Sequence, residues 1–252
     1  MENKTLILCE LEDAKLPAHE SFSPFCIKVH RALEVAGLGY ERRLADRPDA
    51  HKRHNPTGQV PVLLVDGEPV RDSTEILRRI VALAPGALAS DGDAWLWEEL
   101  GDTSLNGFLV AARWADDRNW PATRAAYFAK APGFVRALIV PKIRKRVIAG
   151  LHARDVTRAG MDRCWARLEA LLDQLDARAP SSGFWCGRAL SVGDLGLFAQ
   201  LHSLRTPLTA PQAESVARRK RLSAWLDRVH EETRCVAPTA SSASSSFSAA
   251  AS

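Results

Sequence analysis

Strand-like runs are confined to the first third of this 252-residue chain, and everything beyond Pro85 carries helical periodicity. That switch limits the available folds more than any other feature, because a sheet has to be complete before the helices that cover it begin. TLILC at 5–9 reads as a buried strand, PFCIKVHRALEVA at 24–36 as a helix stopped by Gly37, and LGYERRL at 38–44 as a second strand. VPVLLVDGEPV at 60–70 predicts a hairpin turning at Asp66 and Gly67, and DSTEILRRIVALA at 72–84 predicts another helix. The chain thus divides into an α/β domain over 1–84, a short linker of Pro and small residues over 85–91, and an all-α domain over 92–235. Helices are expected over 92–117, 121–131, 134–150, 155–178, 192–204 and 211–232. Residues 236–252 contain no charge and almost no large apolar side chain, so a disordered tail is expected there.

Composition excludes several functions. No apolar run approaches the roughly 20 residues that cross a bilayer, so membrane insertion is not expected. The N-terminus turns acidic after a short apolar run rather than continuing as a signal peptide, which makes the cytoplasm the expected location. Five scattered cysteines, Cys9, Cys26, Cys164, Cys186 and Cys235, form no CxxC pair and read as reduced thiols rather than a disulfide framework or zinc site. The net charge of +4 does not imply nucleic acid. A local concentration, Lys142, Arg144, Lys145, Arg146, Arg154 and Arg158, reads either as a solvated helix face or as a surface for an anionic partner. Glycine-rich phosphate loops, Ser-His-Asp arrangements and HExxH are absent from the sequence, and neither a metal nor a nucleotide site is expected.

Three short motifs carry chemistry. Ser23-Pro24-Phe25-Cys26 opens the first helix, with Ser23 as N-cap and Pro24 where its missing N–H costs nothing. Pro61 opens an otherwise apolar strand, a setting that invites a cis bond and a Val60 backbone free to pair with an extended peptide. Asp72-Ser73 precedes an apolar helical run with Glu75 three residues after Asp72, as in a capping box, and such a helix start also receives carboxylates. Capping or edge-strand structure accounts for each motif taken singly. Downstream, Ser191 and Asp194 form a further capping box ahead of Leu195, Leu197, Phe198 and Leu201, a role in folding rather than catalysis.

In this order, on an element sequence of βαβ then ββα, the motifs resemble the cytosolic glutathione S-transferase family. SPFCIKVHRALEVAGLGYE, NPTGQVPVLLVDGEPVRDSTEI and FWCGRALSVGDLGLFAQL carry the resemblance, which spans roughly residues 5–232. It implies a thioredoxin-like N-terminal domain followed by an all-α C-terminal domain, usually in a homodimer. It also implies glutathione as cosubstrate, without a metal, and a small apolar electrophile as second substrate. By the resemblance, Ser23 is the catalytic residue that bonds the glutathione thiol, with Phe25 beside it. Val60 and Pro61 hold the cysteinyl unit, Asp72 and Ser73 the γ-glutamyl group, and Gln59 with His51 the glycyl end. Trp114, Tyr127 and Phe128 are candidates for the electrophile pocket or, alternatively, for core packing. Cys26, one turn beyond Ser23, is a possible redox thiol if exposed, which keeps a peroxidase or thiol-transferase alternative open. The loop ELEDAKLPAHESF at 10–22 is longer than the family pattern, and 113–147 also resembles the metaxin-like or Fax-like branch. A non-catalytic glutathione-binding or scaffolding protein of the same fold is the other alternative.

Overall fold

The computed structural model describes residues 4–11, 15–45 and 48–234, so the expected tail and Cys235 lie outside the described residues. Strand β1 (Leu6–Leu11), helix α1 (Pro24–Val35), strand β2 (Glu41–Ala45), a 3-10 turn (Pro48–His51), strands β3 (Val62–Val65) and β4 (Glu68–Arg71) and helix α2 (Ser73–Leu83) form the α/β part. The sheet runs β2-β1-β3-β4, with β1 parallel to β2 and antiparallel to β3. The β3–β4 hairpin turns where the sequence predicts, with positive φ at both Asp66 and Gly67, the conformation that a tight two-residue turn requires.

Side-chain alternation assigns the two faces of this sheet. Leu6, Leu8, Leu63 and Val65 join the core beneath α1 and α2, whereas Cys9, Val62 and Leu64 form a small separate cluster on the opposite face. Helices on both faces are the expectation. Helices α1 and α2 pack against each other over the larger core, α2 also touching β3 and β4, and the 3-10 turn contacts β1 and β2. Strand β2 starts at Glu41 rather than residue 38, because Gly37 at φ 63 closes the helix and the chain turns before pairing begins.

Beyond β4 the described residues hold only two isolated β-bridges, and helices dominate. Helices α3 (Ala94–Glu99) and α4 (Asn106–Val110) merge through the π-helical turns Leu100–Leu105 and Ala111–Ala115 into one rod. Next come α5 (Trp120–Tyr127), a π-helical turn (Val135–Ile139) running into α6 (Val140–Ala153), α7 (Met161–Arg178), α8 (Val192–Leu204), α9 (Ala210–Arg218) and α10 (Lys220–Thr233). Three expected boundaries are corrected. The helix expected at 155–178 starts only at Met161, since Asp155 and Gly160 both take positive φ and form a turn. The helix expected at 121–131 ends at Tyr127, with Phe128 already off helical geometry at φ −118. The helix expected at 211–232 breaks at Arg219, where the backbone is extended and the guanidinium is anchored on Asp173 and the Ser215 carbonyl.

Helix α8 has every residue buried, so it shows no polar face. It lies against α1, α3 and α10. The apolar core is continuous from Leu8 and Ile27 to Leu195, Leu201 and Trp225, so the α/β and helical parts share one interior.

Candidate functional site

Strand register brings the three sequence motifs to one end of the sheet. Val62 at the start of β3 lies opposite Cys9 on β1 and Arg71 on β4. Val60-Pro61 therefore enters β3, and Asp72 leaves β4, at the edge where β1 ends. The α1 start is tied to the same edge, because Arg42 of β2 holds both the Glu10 carboxylate and the Glu20 carbonyl.

Ser23 caps α1 and is half-buried, and its Oγ accepts the Cys26 N–H at a long 3.4 Å. The Val60–Pro61 peptide is cis. Among the described residues, neither the N–H nor the C=O of Val60 has a hydrogen-bond partner. Asp72 caps α2 by accepting from the Thr74 and Glu75 N–H groups, from an unusual φ of 71. Gln59 is exposed, with its carbonyl held by Asn55 at 2.9 Å and its N–H by the Thr57 hydroxyl. Phe25 is half-buried, and the Lys28 ammonium sits 5.8 Å from its ring centre.

Two assigned residues face inward. His51 is buried and its Nε2–H donates to the Glu10 carbonyl at 3.0 Å, so it fastens the 3-10 turn to β1 instead of reaching outward. Cys26 is completely buried, and loss of hydration pushes its thiol up to about 12 despite the nearby Ser23 and Ser21 hydroxyls. A thiol that stays protonated and inaccessible is no redox nucleophile, and the expectation for Cys26 is corrected to a core role.

Ser73 is buried, and its hydroxyl donates to Asp102 at 3.4 Å. Asp102 in turn binds the Lys28 ammonium, which also pairs with buried Glu98 at 2.5 Å. Burial raises the Asp102 carboxyl to about 6, with Lys28 opposing the shift and Glu98 adding to it. This cluster joins α1, α2 and the 94–115 rod directly behind the α2 N-terminus.

Trp114, Tyr127 and Phe128 come together as an aromatic group. Trp114 meets Tyr127 edge-on at 5.5 Å and Phe128 at 6.2 Å. Tyr127 also tilts against Phe22 at 4.7 Å, which links this group to the residue preceding Ser23. Arg113, which sequence reasoning missed, organises the junction. It is buried, donates to the Phe22 carbonyl at 2.6 Å and the Tyr127 hydroxyl at 2.9 Å, and reaches the Ser203 carbonyl at 3.1 Å. No spacing signal marks it, because its partners lie up to 91 residues away.

A mixed four-stranded sheet with its helices, followed by an all-helical part sharing its core, defines the two-domain proteins built from a thioredoxin-like unit and a helical unit. Within that class, the chain belongs to the glutathione S-transferase family. The family's N-terminal domain model matches residues 22–83 and its C-terminal domain model residues 158–228, together just over half of the chain. Glutathione transferase GST 23 of Zea mays is 35% identical over 98 residues, 34% of this chain and 44% of the maize protein. The match thus spans under half of that relative's length. Among solved structures, the beta-etherase LigF of Sphingobium sp. is similar in fold at 21% identity and a TM-score of 0.56, covering 89% of this chain and 94% of its own. A Methylobacterium radiotolerans glutathione S-transferase in complex with glutathione sulfonate reaches a TM-score of 0.56 at 20% identity, covering 93% and 97%.

Proposed function

We propose that this protein is a glutathione transferase in which Ser23, at the N-terminus of α1, stabilises the ionised thiol of bound glutathione for attack on an apolar electrophile. The observation that carries this reading is the convergence at one sheet end of the Ser23 hydroxyl, the unpartnered Val60 backbone and the α2 N-terminus. An extended tripeptide needs those three kinds of group: a donor for sulfur, a strand edge for its backbone, and amides for a carboxylate.

The energetics suffice. A thiol titrating near 8.5 needs roughly 2.7 kcal/mol to become largely thiolate at neutral pH. A hydrogen bond to an ionised group contributes roughly 1.5–3 kcal/mol, and a helix N-terminus roughly 0.3–1 kcal/mol. The long Cys26 contact leaves the Ser23 hydroxyl easily redirected toward a ligand sulfur. In this reading Trp114, Tyr127 and Phe128 offer the apolar surface for the electrophile, and Arg113 holds the Phe22 carbonyl, next to Ser23, beside them. Gln59 takes the glycyl end without help from His51. A homodimer in the cytoplasm is the working assembly.

Calorimetric titration of glutathione into the wild type and Ser23→Ala, followed by a panel of electrophiles, tests the reading. Wild type is expected to bind and turn over. Ser23→Ala is expected to retain binding and to lose roughly tenfold to a hundredfold in turnover, the range that the hydroxyl's share of roughly 1.5–3 kcal/mol corresponds to. Absence of binding at millimolar glutathione overturns the reading, and binding without turnover on any electrophile makes the protein a glutathione-binding scaffold.

A further inference from the structure

From residue 118 to residue 154 the chain contains no Asp or Glu and nine Lys or Arg residues, a charge imbalance that the overall net charge of +4 conceals. The same segment holds three of the five large apolar side chains that stand exposed among the described residues. Phe134 is 68% exposed, Leu138 64% and Ile139 43%. Neither observation is needed for glutathione chemistry.

The helical geometry brings the two together. Phe134 precedes the π-helical turn, Leu138 lies within it, and Lys142 and Arg146 follow on α6, so these four recur every fourth residue and share one face. Each of them is exposed, as are Arg136 and Lys145 beside the row, while Val140 and Leu151 on the opposite side are buried. Among the described residues, Lys142, Lys145 and Arg146 form no ion pair, whereas Arg144, turned toward the body, is held by Asp117 and the Trp114 carbonyl. Lys145 also borders a shallow groove floored by Trp120, Val140, Pro141 and Ile148, so apolar surface continues beside the cationic row.

We propose that this face docks the protein on an anionic phospholipid surface, with Phe134, Leu138 and Ile139 entering the headgroup boundary and Arg136, Lys142, Lys145 and Arg146 meeting lipid phosphates and carboxylates. Complementarity selects this occupant. A bilayer interface satisfies cations and apolar tips at the same depth. A nucleic-acid backbone satisfies the cations and leaves the three apolar side chains in water. A second copy of the chain meeting the same face about a two-fold axis sets like charges against each other. Docking is peripheral, because no described helix is long and apolar enough to cross a membrane.

Co-sedimentation of the full chain with vesicles tests the proposal. Phosphatidylcholine vesicles containing about one-third phosphatidylserine are expected to bind the protein at about 0.1 M salt, and to release it at about 0.5 M, where screening shortens the reach of the charges. Phosphatidylcholine alone is expected to bind on the order of a hundredfold less. The triple change Lys142→Glu, Lys145→Glu, Arg146→Glu is expected to weaken partitioning by a similar factor. Phe134→Ser with Leu138→Ser is expected to weaken it about tenfold or more, with glutathione binding and melting temperature unchanged. Should the charge reversal not fold, Lys142→Gln with Lys145→Gln serves the same purpose on a milder scale. The proposal is overturned by equal binding to neutral vesicles, by no binding to either kind, or by apolar variants that bind as wild type. Loss of vesicle binding to a stoichiometric amount of duplex DNA likewise overturns it in favour of nucleic acid.

Discussion

Buried Asp194 carries four hydrogen bonds on its carboxylate. One carboxylate oxygen accepts from the Ser191 N–H and hydroxyl, at 3.0 and 2.5 Å, and the other from the Trp185 N–H and the indole of fully buried Trp225, at 2.7 and 3.0 Å. Burial raises its carboxyl above the usual range even so, with the four donors pulling the other way. The capping box was legible in the sequence from Ser191 and Asp194 alone. The two tryptophan bonds were not, since the Trp185 loop has to fold back over the α8 start and Trp225, 31 residues away, arrives only once α10 has packed against α8. Asp194→Ala removes every acceptor at once and strands buried donors, so it is expected to cost about 3–5 kcal/mol. Urea unfolding checks this, and a loss under about 1 kcal/mol contradicts the reading. At the candidate site, Ser23 and Asp72 were legible as helix caps because capping is a local property. The burial of His51 and Cys26 was not, because it depends on which neighbouring elements pack over them.

At the scale of elements, glycine spacing decides how closely α8 approaches the 94–115 rod. A Cβ on Gly196 would stand 2.7 Å from the Glu98 Cα, and one on Gly193 2.7 Å from the Ala94 carbonyl oxygen. These obstacles are backbone, which cannot rotate aside. Gly196→Ala is therefore expected to push the two helices apart, lowering stability by about 1–3 kcal/mol. It is also expected to loosen the Lys28–Glu98–Asp102 cluster behind α2, weakening glutathione binding alongside. A melting-temperature drop with unchanged glutathione affinity would show that the helix contact and the site are independent. Helix interiors followed from apolar spacing, but the breaks at Arg219 and Tyr127 did not. Arg219 interrupts a continuous helical pattern because Asp173 and Ser215 hold its side chain, a tertiary preference that overrides local propensity.

The whole molecule is strapped across its two parts by histidines. His19, in the segment before Ser23, stacks on His202 of α8 at 4.0 Å, and His202 stacks on His230 of α10 at 5.2 Å. His202 donates Nε2–H to the Ala18 carbonyl at 2.9 Å. Burial drives its imidazole down to about 2, helped by His19, His230 and Arg31 and opposed by that hydrogen bond. The carboxylates near the stack are Glu20, paired with Arg31 at 2.7 Å and close to His19 and His230, and Glu231 beside His230. In the unfolded chain this histidine takes a proton below about 6.5, while the folded form stays neutral, so its contribution to stability is present above that pH and is lost as pH falls from about 6.5 toward 2. Unfolding free energies measured between about pH 7.5 and pH 5 are expected to fall less steeply for His202→Gln than for wild type. Equal slopes would mean that His202 is not the titrating strap.

The sequence by itself determined the class of each segment, the hairpin at Asp66-Gly67, the family and the three local motifs, because periodicity, turn conformation and capping act within a few residues. Only the tertiary structure decided that these motifs share one sheet edge, that Arg113 ties Phe22 to Tyr127, that Ser73 faces Asp102, and that Cys26 and His51 are turned inward. Those outcomes depend on contacts between residues tens of positions apart, whose geometry is set by strand register and by how closely helices pack rather than by any spacing along the chain.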